Sequence, residues 1–70
     1  MKFNEFDVVR ILRDFPEEGV KKGDDGAIIH ISPHREAYLI DVDAKDGTGI
    51  PKAEIFILPE DLELVWKFEE

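Results

Sequence analysis

Apolar and polar residues alternate along this chain in short runs, not in helical turns. Five segments carry the alternation: Asp7–Arg13, Gly26–Ile31, Ala37–Val42, Ala53–Leu58 and the shorter Leu62–Trp66. They are rich in Ile, Val, Phe, Tyr and Trp, which suit a pleated, half-buried surface, and they are too short and wrongly spaced for helices. In the third run Tyr38, Ile40 and Val42 are expected to point inward and Leu39 and Asp41 outward; in the first, Val9 and Ile11 point inward and Arg10 outward. The phase of the second and fourth runs is open. Ala27, Ile29 and Ile31 share one face of the former, and Ile55 and Ile57 are the inward contribution expected of the latter.

The connections complete the plan. Residues 14–25 form a long first loop, but Phe15 and Val20 give it apolar anchors of its own, so it should fold back on the sheet. Gly23 and Gly26 bracket Asp24-Asp25, which reads as a local turn. Ser32-Pro33-His34-Arg35 reads as a hairpin connection, and Ala44–Gly49 contains the short-hairpin pair Asp46-Gly47. Pro51 marks a strand start or an edge, since proline cannot donate to a central ladder. Pro59-Glu60-Asp61-Leu62 has proline first and acids where the N-terminal dipole favours them, the signature of one helical turn. The expected fold is therefore all-β: a small five-stranded, partly open SH3-like barrel with a long first loop and one 3-10 turn before the last strand. An OB-fold would need a longer inserted helix, for which no segment is available.

Seventy residues support one hydrophobic core, so residues 1–70 are read as one domain. Cysteine is absent, which excludes disulfides, thiolate metal sites and a cysteine nucleophile and fits a reducing cytoplasm. No run approaches the ~20 apolar residues of a membrane span, and the first residues lack an apolar leader, so a soluble cytoplasmic protein is expected. Nine basic against seventeen acidic residues leave a net charge of −8, which repels phosphate backbones and anionic lipid and would steer in a basic protein. The same charge also serves solubility.

Three stretches, Asp7–Leu12, Pro16–Ile28 and Leu58–Val65, resemble a family of short bacterial proteins of unknown function regarded as SH3-like barrels. The most specific part is Pro16-Glu17-Glu18-Gly19 followed by Lys22-Gly23-Asp24-Asp25-Gly26. The resemblance implies a fold and no activity. Lys22–Ile29 also resembles the KOW element of ribosomal and transcription proteins, but Asp24 and Asp25 stand where RNA-holding members are basic.

Candidate chemistry thins out when tested against what each reaction needs. Asp41, Asp43 and Asp46 suggest calcium, yet an EF-hand loop begun at Asp41 would put Lys45 at its fifth position, Asp46 where glycine belongs and Lys52 where a bidentate glutamate belongs. His30, His34 and Glu36 straddle a turn and lack a fourth zinc ligand. Ser32, Thr48 and Tyr38 lie in no nucleophile motif, and a filled barrel leaves little room for a pocket that sets two carboxylates apart. Gly23-Asp24-Asp25-Gly26 has the spacing of a KH-type GXXG clamp but is acidic and lacks flanking helices, and Gly47-Thr48-Gly49 lacks the helix and lysine of a phosphate loop. Phe15, Tyr38, Phe56 and Trp66 are available for an aromatic patch or cation cage, although core packing accounts for most of them more simply.

No enzyme, metal or cofactor is expected. The favoured reading is a protein-interaction module, self-association included, using Ile28, Leu39 and Phe56 as apolar residues surplus to a small core. The alternatives are an acidic antitoxin or immunity-type inhibitor of a basic protein and, disfavoured by charge, a KOW-like nucleic-acid-binding barrel.

Overall fold

The strand-forming runs find one another in a single antiparallel sheet. The computed structural model describes residues 3–34, 36–44 and 47–68 and contains β1 (Val8–Ile11), β2 (Asp25–Ile31), β3 (Tyr38–Asp43), β4 (Pro51–Ile57) and β5 (Leu62–Trp66). Their order in the sheet is β4-β3-β2-β1-β5, so β2, β3 and β4 form a meander while β5 returns to pair with β1. This is the all-β, small barrel-like arrangement expected, open at two edges, β4 and β5. The 3-10 turn expected before the last strand lies at Pro59–Asp61. A second one, Pro16–Glu18, lies in the first loop and carries the same local signature, proline followed by two acids.

The core is enclosed by the curl of the sheet: Val9, Ile11, Ile28, Tyr38, Ile40, Val42, Ile57 and Leu62 from the strands, Val20 from the first loop, and Phe3. Inward Tyr38, Ile40 and Val42, with Val9 and Ile11, agree with the alternation read from the sequence. Ile57 is buried and Ile55 half-buried, so β4 also has the expected phase. In β2 the expected face is broken by a bulge. Ile28 pairs with Ile40, but the next pair is His30 with Leu39, so Ile29 is an extra residue and the alternation inverts after it. Gly26, Ile28 and then Ile31 share the inward side, whereas Ala27 and Ile29 do not, which corrects the grouping of Ala27, Ile29 and Ile31.

Gly26 also departs from its expected role. Gly23 does take a left-handed turn conformation at φ 97°, but Gly26 is a strand residue opposite Val9 and Val42. There a Cβ would lie 2.6 Å from the Asp41 carbonyl oxygen and 2.6 Å from Ile40 Cγ2. Glycine is needed here for close approach of two strands. The first loop folds back as expected: Phe15 and Val20 form an isolated bridge, and the Asp14 carboxylate accepts the Lys22 amide at 2.8 Å. The Ser32 hydroxyl similarly closes the β2–β3 connection by accepting the amides of Glu36 and Ala37.

The chain ends are joined by Asp7, a carboxylate only 1% exposed. Its Oδ2 accepts the Asn4 amide at 2.9 Å and its Oδ1 the Phe68 amide at 3.0 Å. Its carbonyl oxygen accepts the Ile28 amide while Phe6 donates to the Ile28 carbonyl, extending the β1–β2 ladder upstream of Val8. This tight turn leaves Phe6 at φ 71°, a conformation that costs an aromatic residue strain and persists only where neighbours over-determine it.

Two outcomes follow. Gly26→Ala should lower stability by about 1–3 kcal/mol through overpacking against backbone, read as a fall in urea midpoint at unchanged m-value. Asp7→Asn places an amide donor against one of the two backbone N–H groups that the carboxylate accepts and should cost about 1–3 kcal/mol, with faster amide exchange at Asn4 and Phe68.

Candidate functional site

The three residues singled out as surplus apolar surface meet different fates. Ile28 is fully buried, because the β2 bulge falls after it and keeps it on the inward side with Ile40; it is a core residue and is removed from the candidate surface. Leu39 and Phe56 are cross-strand partners on the outward face, Leu39 half-buried and Phe56 56% exposed. His30 pairs with Leu39 from the other side, and its ring meets Phe56 edge-on at 6.5 Å. The three make one row across β2, β3 and β4. Of the four aromatic residues assigned mainly to packing, Tyr38 is buried and Phe15 half-buried, but Phe56 and Trp66 stand out in solvent.

Phe56 also borders a groove of about 580 Å³ between the first loop and β4, lined by Arg13, Phe15, Pro16, Glu17, Glu18, Glu54, Ile55 and Phe56. Side chains on one face of a strand alternate, so three consecutive lining residues place the groove along the strand's edge. Among the described residues β4 pairs only with β3, which leaves its other edge without a strand partner there. Pro16–Glu18 forms the opposite wall as a 3-10 turn, held in place by the Phe15–Val20 bridge beneath it. The first loop is tied to the start of β4 by Lys52, whose Nζ lies 2.6 Å from Asp24 Oδ2.

Electrostatically the groove is acidic. Glu17, Glu18 and Glu54 line it, and its one cationic side chain among the described residues, Arg13, is engaged: the guanidinium stacks 4.7 Å from the Phe15 ring centre and lies 3.7 Å from Asp61. An aromatic and aliphatic floor with carboxylates at the rim suits a long aliphatic cation, such as a lysine or arginine side chain, which buries its stem and leaves its charge at the rim. The sequence carried a signal for this wall that went unread, since Pro16-Glu17-Glu18 repeats the turn signature recognised at Pro59.

Elsewhere on the outward face a smaller hollow of about 260 Å³ is lined by Val8, Asp25, Gly26, Ala27, Asp41, Asp43 and Gly49–Pro51. Asp41 Oδ1 is buried there with no hydrogen-bond partner among the described residues. Asp41 and Asp43 lie two apart on β3, and Asp46 lies outside the described residues, as do Arg35 and Lys45. Among the described residues no three metal-capable side chains gather, and no helix is long and apolar enough to cross a membrane.

Because Ile28 fills the core and Phe56 does not, truncation should separate them. Ile28→Ala should cost about 2–5 kcal/mol and Phe56→Ala under about 1 kcal/mol in equilibrium urea unfolding.

Comparison with known proteins adds a family and no activity. No curated protein and no solved structure matches the chain. Residues 5–55 match the family described as "Domain of unknown function (DUF4926)". The matched segment runs from the Asp7 turn through the first loop and ends at Ile55 within β4, so it includes the loop wall of the groove and Glu54 and Ile55 of the other, while Phe56 and β5 lie beyond it. With most of its length matched, the chain belongs to the DUF4926 family, a domain of unknown function.

Proposed function

We propose that this chain is a non-catalytic, SH3-like binding module that takes a basic segment of a protein partner into the groove between the first loop and β4. The observation that carries the reading is the pairing of an apolar floor, Phe15, Ile55 and Phe56, with a rim of three glutamates on a chain of net charge −8. Charge of that sign and size accelerates encounter with a basic partner and rejects an acidic one. The scaffold favours binding too, since both groove walls are pinned, one by the sheet and the other by the Phe15–Val20 bridge. Nucleic acid is disfavoured by the same carboxylates. An inhibitor of a basic protein would use this surface in the same way, with the partner's own active site supplying the basic segment.

The test is capture from the protein's own cells followed by charge reversal. The retained partner should be basic, should elute as salt is raised from about 0.05 to about 0.5 M, and should bind at least about tenfold more weakly to a Glu17→Lys/Glu54→Lys variant. Retention indifferent to both salt and charge reversal contradicts the proposal.

A further inference from the structure

The groove between the first loop and β4 already holds a cation of its own. Arg13 lines it, with its guanidinium over the Phe15 ring at 4.7 Å from the ring centre. Phe15 is half-buried and packs against the core, so its ring has little surface to offer the groove beyond the part under Arg13. Arg13 itself is held lightly. Its side chain is 62% exposed, and its ion pair with Asp61 Oδ2, at 3.7 Å, is longer than a hydrogen bond. Asp61 stands on the 3-10 turn before β5, outside the lining of the groove. Among the described residues the carboxylates of Glu17, Glu18 and Glu54 form no ion pair. Arg13 therefore covers an aromatic surface of the groove without neutralising the acids at its rim.

A planar guanidinium stacks well on an aromatic face, and one face takes one cation at a time. A cationic side chain entering the groove is attracted by the three glutamates, but it finds the Phe15 ring occupied by a group of its own charge. Resting on the reading of the groove as a site for a basic segment, we infer that Arg13 is a built-in competitor for that segment. The partner's cation reaches the Phe15 ring only when Arg13 swings off it into solvent. The groove is then fully open in a fraction of the molecules, and apparent affinity is lowered by that fraction. The effect keeps an acidic groove from holding lone cationic side chains and reserves it for a partner that brings further contacts.

The probe is a capped glycine–arginine–glycine peptide, which carries one guanidinium and no other charge. It is titrated against the full chain while the backbone amide NMR shifts of Glu17, Glu18, Ile55 and Phe56 are followed. These amides should shift in the parent, and Arg13→Gln should lower the dissociation constant about two- to fivefold, the span of one exposed cation–π contact. Lys22→Gln removes the same charge from the same loop at a position outside the groove lining, and should change it less than about 1.5-fold. On a Phe15→Leu background, checked for folding by circular dichroism, the gain from Arg13→Gln should vanish, because no ring is left to release. A parent that binds as tightly as Arg13→Gln overturns the inference, as does a gain matched by Lys22→Gln or retained on Phe15→Leu. The groove reading survives those results if Glu17→Lys/Glu54→Lys still weakens the peptide. No groove shifts in either the parent or Arg13→Gln contradicts that reading, and the competitor with it.

Discussion

A single buried carboxylate organises both ends of this small sheet. Asp7 accepts one amide from the N-terminal turn and another from Phe68, sixty-one residues away, while its own backbone extends the β1–β2 ladder. A buried carboxylate is costly unless its lone pairs are used, and here backbone donors use both oxygens. The turn it closes delivers Phe3 into the core, where its ring meets Tyr38 edge-on at 5.3 Å and its amide reaches the Tyr38 hydroxyl. It also carries Phe6 outward at positive φ and draws the segment after β5 alongside, so Phe6, Phe68 and Trp66 become neighbours.

The order β4-β3-β2-β1-β5 leaves two edges, and the sequence treats them differently. At β4 proline, lysine and glutamate discourage strand pairing, and the first loop stands against the edge to leave an acidic, aromatic-floored groove. At β5 apolar side chains are exposed in succession. Solvent-facing aromatic side chains thus stand at both edges, Phe56 beside the groove at β4 and Trp66 on β5.

Much of the fold was legible because local signals and tertiary demands agree. The Tyr38-Leu39-Ile40-Asp41-Val42 alternation fixed the phase of β3, the Val9–Ile11 spacing that of β1, and Pro59 followed by acids the last turn. Legibility failed where a non-local contact decides. Ile28-Ile29-His30-Ile31 offers apolar residues on both faces, and only the bulge opposite β3 reveals that Ile28 and Ile31 are inward, which is why Ile28 resembled surplus surface. Gly26 looked like a turn glycine because its requirement comes from β3 packing against it. Asp7 looked like an ordinary strand-start acid, since its partner Phe68 lies at the far end of the chain. Of the residues singled out as surplus apolar surface, Phe56 borders the groove and Leu39 does not, and the Pro16–Glu18 wall needed the loop's fold-back to become a wall.

The Asp7 clasp can be examined most directly through the Phe68 backbone amide, by native-state hydrogen exchange on the unmodified chain. If the buried carboxylate holds the end of the chain against the N-terminal turn, this amide exchanges slowly, with protection approaching that of Ile11 and Ile28 in the core. Exchange at the rate of an unstructured peptide would contradict the clasp and, with it, the aromatic strip built upon it.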